Sequence, residues 1–157
     1  MARTGFGIAA VLWAGGCFGI FLAWSCTVLW GLDAIDPRVA IPAMNEGVRN
    51  GVFAFVFFGA PFVILAAGLQ AFRAGRRGAG AAYLASALIF ALGMIGWTVA
   101  FLLPLNEGFA TLPVAGDLRE ATRLWSAYSD PWQQLNYART AFCGLGLVLA
   151  TVGTMQR

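Results

Sequence analysis

The chain has 157 residues, 60% of them hydrophobic and 11% charged, with a mean hydropathy of +0.76. Its formal charge of +3 comes from ten arginines against seven acids, with no lysine and no basic run, which gives no footing for nucleic-acid binding. Histidine is absent, so the commonest metal and haem ligand and the usual neutral-pH proton carrier are missing, and neither a metal nor a cofactor is expected.

Such a composition points to a polytopic membrane protein. A helix needs about 20 apolar residues to cross a bilayer. Four segments qualify, at roughly 5–32, 51–72, 81–103 and 131–156. The expected fold is all-α, a four-helix transmembrane bundle in which residues 1–157 form a single membrane domain.

The first span is too long for a signal peptide, and its apolar run continues past Cys17, which argues against lipoprotein processing there. Gly15 and Gly19 form a Gly-x-x-x-Gly pair suited to close helix packing. Cys17, Cys26 and Cys143 all lie in apolar segments and none forms Cys-x-x-Cys, which disfavours a thiol–disulfide oxidase.

The 33–50 connection contains Asp36-Pro37, a good helix start, and Pro42, which should kink or end that helix. It then carries Asn45-Glu46-Gly47, with Arg49 at helical spacing from both Asn45 and Glu46. Pro61 should kink the second span. A short arginine-rich turn, "RAGRRGAG" at 73–80, leads into the third span, which Pro104 should stop. Asn106-Glu107-Gly108 repeats the earlier triplet there.

Beyond it, Leu118, Ala121, Leu124 or Trp125, and Tyr128 outline an amphipathic helix expected at the membrane interface, with Trp125 and Tyr128 at headgroup depth. Asp130-Pro131, followed by Gln133 in capping-box position, reads as a fresh start for the fourth helix. Asn136, Arg139 and Cys143 then share one stripe of it.

Charge sets the expected orientation. The 73–80 turn has three arginines and no acid, whereas 33–50 has three acids against two arginines and 104–137 has four against two. The positive-inside rule puts both termini in the cytoplasm and both long connections, with short interfacial helices, outside. The membrane would be a bacterial cytoplasmic (inner) membrane. Both Asn-Glu-Gly triplets would then meet Arg139 on one side, and Glu46 or Glu107 is its expected ion partner, because a buried arginine is costly unless paired.

Candidate roles follow from these residue types. Glu46 or Glu107, in a dry pocket, would act as a general base. Arg139 would hold an oxyanion, and Asn45, Asn106 and Asn136 would hydrogen-bond a carbonyl. Trp132 and Tyr137 would wall a pocket for a flat hydrophobic ligand. The competing reading makes the same polar residues a lock between helices, in a non-enzymatic accessory subunit or lipophile-binding protein. Expected partners are the lipid bilayer, a hydrophobic small molecule, and a second copy or another membrane subunit.

"MNEGVRN" before the second span, "PLNE" after the third and "LNYART" at the fourth come in this order around four apolar helices. In this arrangement the chain resembles the anthrone oxygenase-like family of small membrane proteins. The resemblance implies a four-helix membrane domain and, for some relatives, oxidation of an anthrone to an anthraquinone by dioxygen. The motif positions it carries over are Asn45, Asn106, Asn136 and Arg139. The chain departs from the family at Leu135 and Tyr137, where relatives often carry tryptophan and histidine.

Overall fold

The computed structural model describes residues 2–47, 50–112 and 116–156. Five helices account for nearly all of them. The first, α1, runs through Ala2–Ala23, a π-helical stretch Trp24–Val28 and Leu29–Asp33. Two shorter-range elements follow: α2 spans Pro37–Gly47 and α3 spans Gly51–Arg73. The fourth, α4, comprises Arg77–Leu88, two π stretches at Ile89–Gly96 and Thr98–Leu102, and Leu103–Ala110. The last, α5, is Leu118–Met155. Four of these are long and apolar enough to cross a membrane: Gly5–Asp33, Gly51–Arg73, Arg77–Ala110 and Leu118–Met155. The chain is a multi-pass integral membrane protein with an all-helical fold.

The helix starts obey local rules. Asp36 accepts the Arg38 backbone N–H at 2.9 Å at the head of α2, as Asp36-Pro37 predicts. The Arg38 guanidinium also grips this carboxylate, holding its pKa at about 2. Asn50 caps α3 through the Phe53 N–H at 2.8 Å, and Asp117 caps α5 through the Glu120 N–H at 3.2 Å.

Pro104 and Pro131 behave differently from expectation, and Pro42 does not end its helix. Helix α4 continues through Pro104 to Ala110, and α5 passes through Pro131 without restarting. Helix α2 likewise runs on past Pro42. A proline forfeits one i→i−4 bond, and its ring crowds the carbonyl four residues back. In α4 that carbonyl belongs to Ala100, inside the wider Thr98–Leu102 π turn, where the backbone is already re-registered. In α5 it belongs to the exposed Ala127, where water is an available partner.

Two apolar cores stack along the bundle. One fills the membrane-spanning body around Phe21, Phe57, Ile64, Tyr83, Phe90 and Met94. It is tightest at glycines of α4 and α5: a Cβ on Gly146 would fall 2.5 Å from Phe90, and one on Gly93 2.7 Å from Phe142. A Cβ on Gly19 would meet nothing within 4 Å and one on Gly15 only Leu147 at 4.0 Å, so the Gly15–Gly19 pair makes no close helix contact among the described residues. The second core joins Leu29, Ile41, Met44, Leu102, Phe109, Trp125, Tyr128 and Trp132. Trp125 and Tyr128 therefore sit inside the protein instead of facing headgroups. Tyr128 stacks on Phe109 at 3.8 Å between centroids, and Trp125 Nε1 donates to Asp33 Oδ1 at 2.7 Å. The early turns of α5 pack against α2 and the end of α4, which turns their aromatic face inward.

The bundle thus has an arginine end and an asparagine end. At the first, Tyr83 and Thr154 hydroxyls meet at 2.8 Å, Thr154 donates to the Gly7 carbonyl, and Arg76 donates to the Gln156 carbonyl. At the second, Asn45, Asn50 and Asn106 gather around one cleft.

Candidate ligand-binding cleft

The spacing of Tyr128, Trp132, Asn136 and Arg139 places all of them on one stripe of α5, and all are buried. Asn136 is the most enclosed, at 0% exposure. Its Nδ2 donates to the Ser25 hydroxyl at 2.8 Å and the Phe21 carbonyl at 3.3 Å, both on α1. Its Oδ1 accepts from Arg139 Nη2 at 2.6 Å and Nε at 3.2 Å. Arg139 Nη1 donates to the Thr98 hydroxyl of α4 at 3.2 Å. The guanidinium carbon lies 4.0 Å over the Phe21 ring and 5.7 Å from that of Trp132.

This corrects the expected ion pair. Among the described residues, Arg139 forms no salt bridge; an amide, a hydroxyl and aromatic faces surround it. Glu46 and Glu107 are exposed. A carboxylate kept in water avoids the desolvation that pairing inside the bundle would impose. The notional pairings with Arg49 fall outside the described residues.

The π stretches lie where these polar contacts are made. Such turns displace backbone bonds and are frequent at functional sites. Ser25, within Trp24–Val28, donates to the Phe21 carbonyl at 2.9 Å, while its own carbonyl accepts Gln133 Nε2 at 2.7 Å. Thr98 opens the second π stretch of α4 and donates to the Met94 carbonyl at 2.7 Å. Side chains thus add hydrogen bonds to carbonyls where the π turns shift the backbone ladder.

Beside this cluster lies a cleft of about 490 Å³. Phe21, Trp24, Phe53, Phe57, Phe58 and Trp132 give it aromatic walls, and Met44 adds an apolar patch. Its polar lining is Arg139, Thr98, Tyr128, Asn45, Asn50 and Asn106. Several acceptors there are already engaged: Tyr128 donates to Asn106 Oδ1 at 2.8 Å, and Asn50 Oδ1 caps α3. Among the described residues, the groups left over are two guanidinium N–H, the amides of Asn45, Asn50 and Asn106, and the Asn45 Oδ1, so donors predominate. The buried Trp132 Nε1 has no acceptor among the described residues, and leaving such a donor unpaired costs stability. No carboxylate among the described residues lines the cleft. An aromatic slot with donors at one side suits a flat molecule carrying a carbonyl or oxyanion.

Of the residues singled out from the sequence, the cleft brings together Arg139, Asn45, Asn106 and Trp132, with Asn136 behind Arg139. It does not include Glu46, Glu107 or Tyr137, the last being 41% exposed. Ser25, Thr98 and Asn50 were not anticipated. Ser25 and Thr98 were detectable as hydroxyls within apolar spans, and Asn50 as a cap before Gly51.

These features define a small integral membrane protein with a donor-lined aromatic cleft between its helices. The sequence model of the anthrone oxygenase family matches residues 52–149, and the chain belongs to that family. No curated protein and no solved structure matches the chain.

Proposed function

We propose that the cleft binds a flat aromatic ketone of the anthrone type and that the chain oxidises it with dioxygen, without a cofactor. The observation that carries this reading is the buried Arg139, fixed by Asn136 and Thr98 against an aromatic slot of substrate size. The proton on the ring carbon opposite an anthrone's carbonyl is acidic, because its loss gives a fully aromatic enolate. Donors from Arg139, Asn45 and Asn106 around the oxygen favour that enolate. Glu46 and Glu107 each follow a cleft-lining asparagine and stand just outside, where they take the proton through water at the mouth. The electron-rich carbon then bonds dioxygen to give a hydroperoxide. Loss of water leaves the quinone, so one oxygen atom stays in the product and the other departs as water. No external reductant is consumed.

In this reading the arginine end and both termini face the cytoplasm and the cleft opens near the opposite face. Arg77→Cys, in a Cys26→Ser background, should react with an impermeant maleimide only after the cells are opened. Labelling of intact cells would reverse the orientation.

The test of function is an aerobic assay of the purified protein with an emodin-type anthrone, following quinone by mass spectrometry. Quinone above boiled protein and above an Asn136→Ala, Arg139→Ala double variant supports the oxygenase. The absence of a carboxylate from the cleft lining favours a second reading, in which the cleft binds the lipophile without turnover. Binding that needs Arg139 but yields no quinone would select it.

A further inference from the structure

The cleft is enclosed unequally. At the asparagine end, Met44 of α2 and Tyr128 of α5 are at most 5% exposed, while Asn50 and Gly51 leave a water-facing edge. Along its side, three of its own wall residues are well exposed: Phe58 on α3 is 54% exposed, Val99 on α4 is 54% and Leu103 is 40%. All three belong to segments that cross the membrane.

The spread of α3 and α4 has a visible cause. At the arginine end they lie close, for a Cβ on Gly68 would meet Tyr83 at 3.1 Å and one on Gly80 would meet the Phe72 ring at 2.7 Å. Toward the other end the facing residues become Phe57, Phe58, Val99 and Leu103, and the cleft occupies the space between the helices. Phe58 lies seven residues inside α3 from Gly51, about 10 Å along the axis at about 1.5 Å per residue. The lower part of the gap is therefore level with hydrocarbon, while Asn50 and Gly51 mark its upper edge.

We propose that the cleft takes its ligand sideways from the bilayer, through the slot between Phe58 on α3 and Val99 and Leu103 on α4. The inference rests on the cleft being the binding site and adds the class of substrate: an aromatic dissolved in the membrane, whose oxygen-bearing edge enters first and reaches Arg139. Its apolar trailing edge stays against Phe58 and Val99, where a charged or sugar-bearing tail would be left in hydrocarbon at high cost.

The full chain in liposomes gives the test, with the anthraquinone emodin as probe and stopped-flow optical detection of its uptake. Val99→Trp and Leu103→Trp add bulk at lipid-facing positions and narrow the slot. Leu92→Trp, on the same helix but away from the cleft, is the control; Leu92 is 70% exposed. The expected result is uptake at least tenfold slower in both slot variants and unchanged in Leu92→Trp. Arg139→Ala should lower the final occupancy instead. Unchanged uptake in both slot variants, with occupancy still dependent on Arg139, overturns the lateral route and leaves the binding site intact. Equal slowing in Leu92→Trp overturns the route as well, because the effect would not belong to the slot. No Arg139-dependent uptake by the wild-type chain overturns the site itself, and the route with it.

Discussion

Arg139 and Asn136 stand one turn apart on α5, and a single amide oxygen of Asn136 receives two guanidinium N–H groups, at 2.6 and 3.2 Å. The same asparagine donates to Ser25 and Phe21 of α1, while Arg139 reaches Thr98 of α4. Three helices meet through this pair. It fixes the arginine without neutralising it, so positive charge remains available to a ligand.

Asn136→Leu should lower stability in detergent by about 2–4 kcal/mol, because it strands the donors of Arg139 and the carbonyl side of α1 in a buried site. Asn136→Asp keeps the acceptor and adds a charge partner for Arg139. It should fold better than the leucine variant yet bind an anionic ligand at least tenfold more weakly than wild type. Melting curves and a binding titration with the same preparations check both. An aspartate variant with wild-type affinity would show that the arginine's free charge does not matter.

Arg139→Met separates stability from function. Removing a buried cation also removes its desolvation cost, so an apolar side chain of similar length should change stability by less than about 2 kcal/mol. Binding or turnover should fall at least tenfold. A folded Arg139→Met protein with full activity would reduce the arginine to a helix tie.

Trp132→Phe tests the buried indole N–H, which finds no acceptor among the described residues. Without ligand, the phenylalanine variant should be as stable as wild type or up to about 1 kcal/mol more stable, since it discards an unsatisfied donor at the expense of some packing. Ligand affinity should drop severalfold if that N–H finds its acceptor on the ligand. Loss of stability together with unchanged affinity would make Trp132 a packing residue alone.

Gly146→Ala should cost about 1–3 kcal/mol, because the new methyl meets Phe90, which is 0% exposed and has nowhere to move. Gly19→Ala, with open space around it, should be neutral or stabilising by up to about 1 kcal/mol. Thermal melting of the two variants side by side reads the contrast. A destabilising Gly19→Ala would point to a surface covered by something outside this chain.

Apolar length and the arginine-poor spans made the four crossings legible, and helical spacing put Trp132, Asn136 and Arg139 on one stripe. Asp36 before Pro37 announced its helix correctly. What stayed hidden depended on contacts distant in sequence. Glu46 and Glu107 looked like partners for Arg139 because charge was the obvious criterion, but the bundle supplies an amide and a hydroxyl that stay inside at lower cost. Trp125 and Tyr128 have the composition of an interfacial belt, and only the docking of α2 and the ends of α1 and α4 against α5 decides that they face inward. Pro104 and Pro131 read as stops because each is judged by its own helix. A π turn beside the first and an exposed carbonyl beneath the second let the helices continue.

The π winding of Thr98–Leu102 has a genetic consequence. A widened turn holds one residue more than an α turn would, so deleting one residue there should be absorbed as ordinary α-helix instead of breaking α4. Everything beyond it, including Leu103, Asn106 and Phe109, would keep its facing, because the deletion removes only the surplus residue of the wide turn, and Asn106 would stay on Tyr128. The same deletion at the start of the α-helical Leu103–Ala110 has no surplus to draw on and would turn the residues beyond it by about 100° around the helix axis. Two single-codon deletions a few residues apart, alike in length and hydropathy, would therefore differ: one silent, the other dismantling the asparagine end.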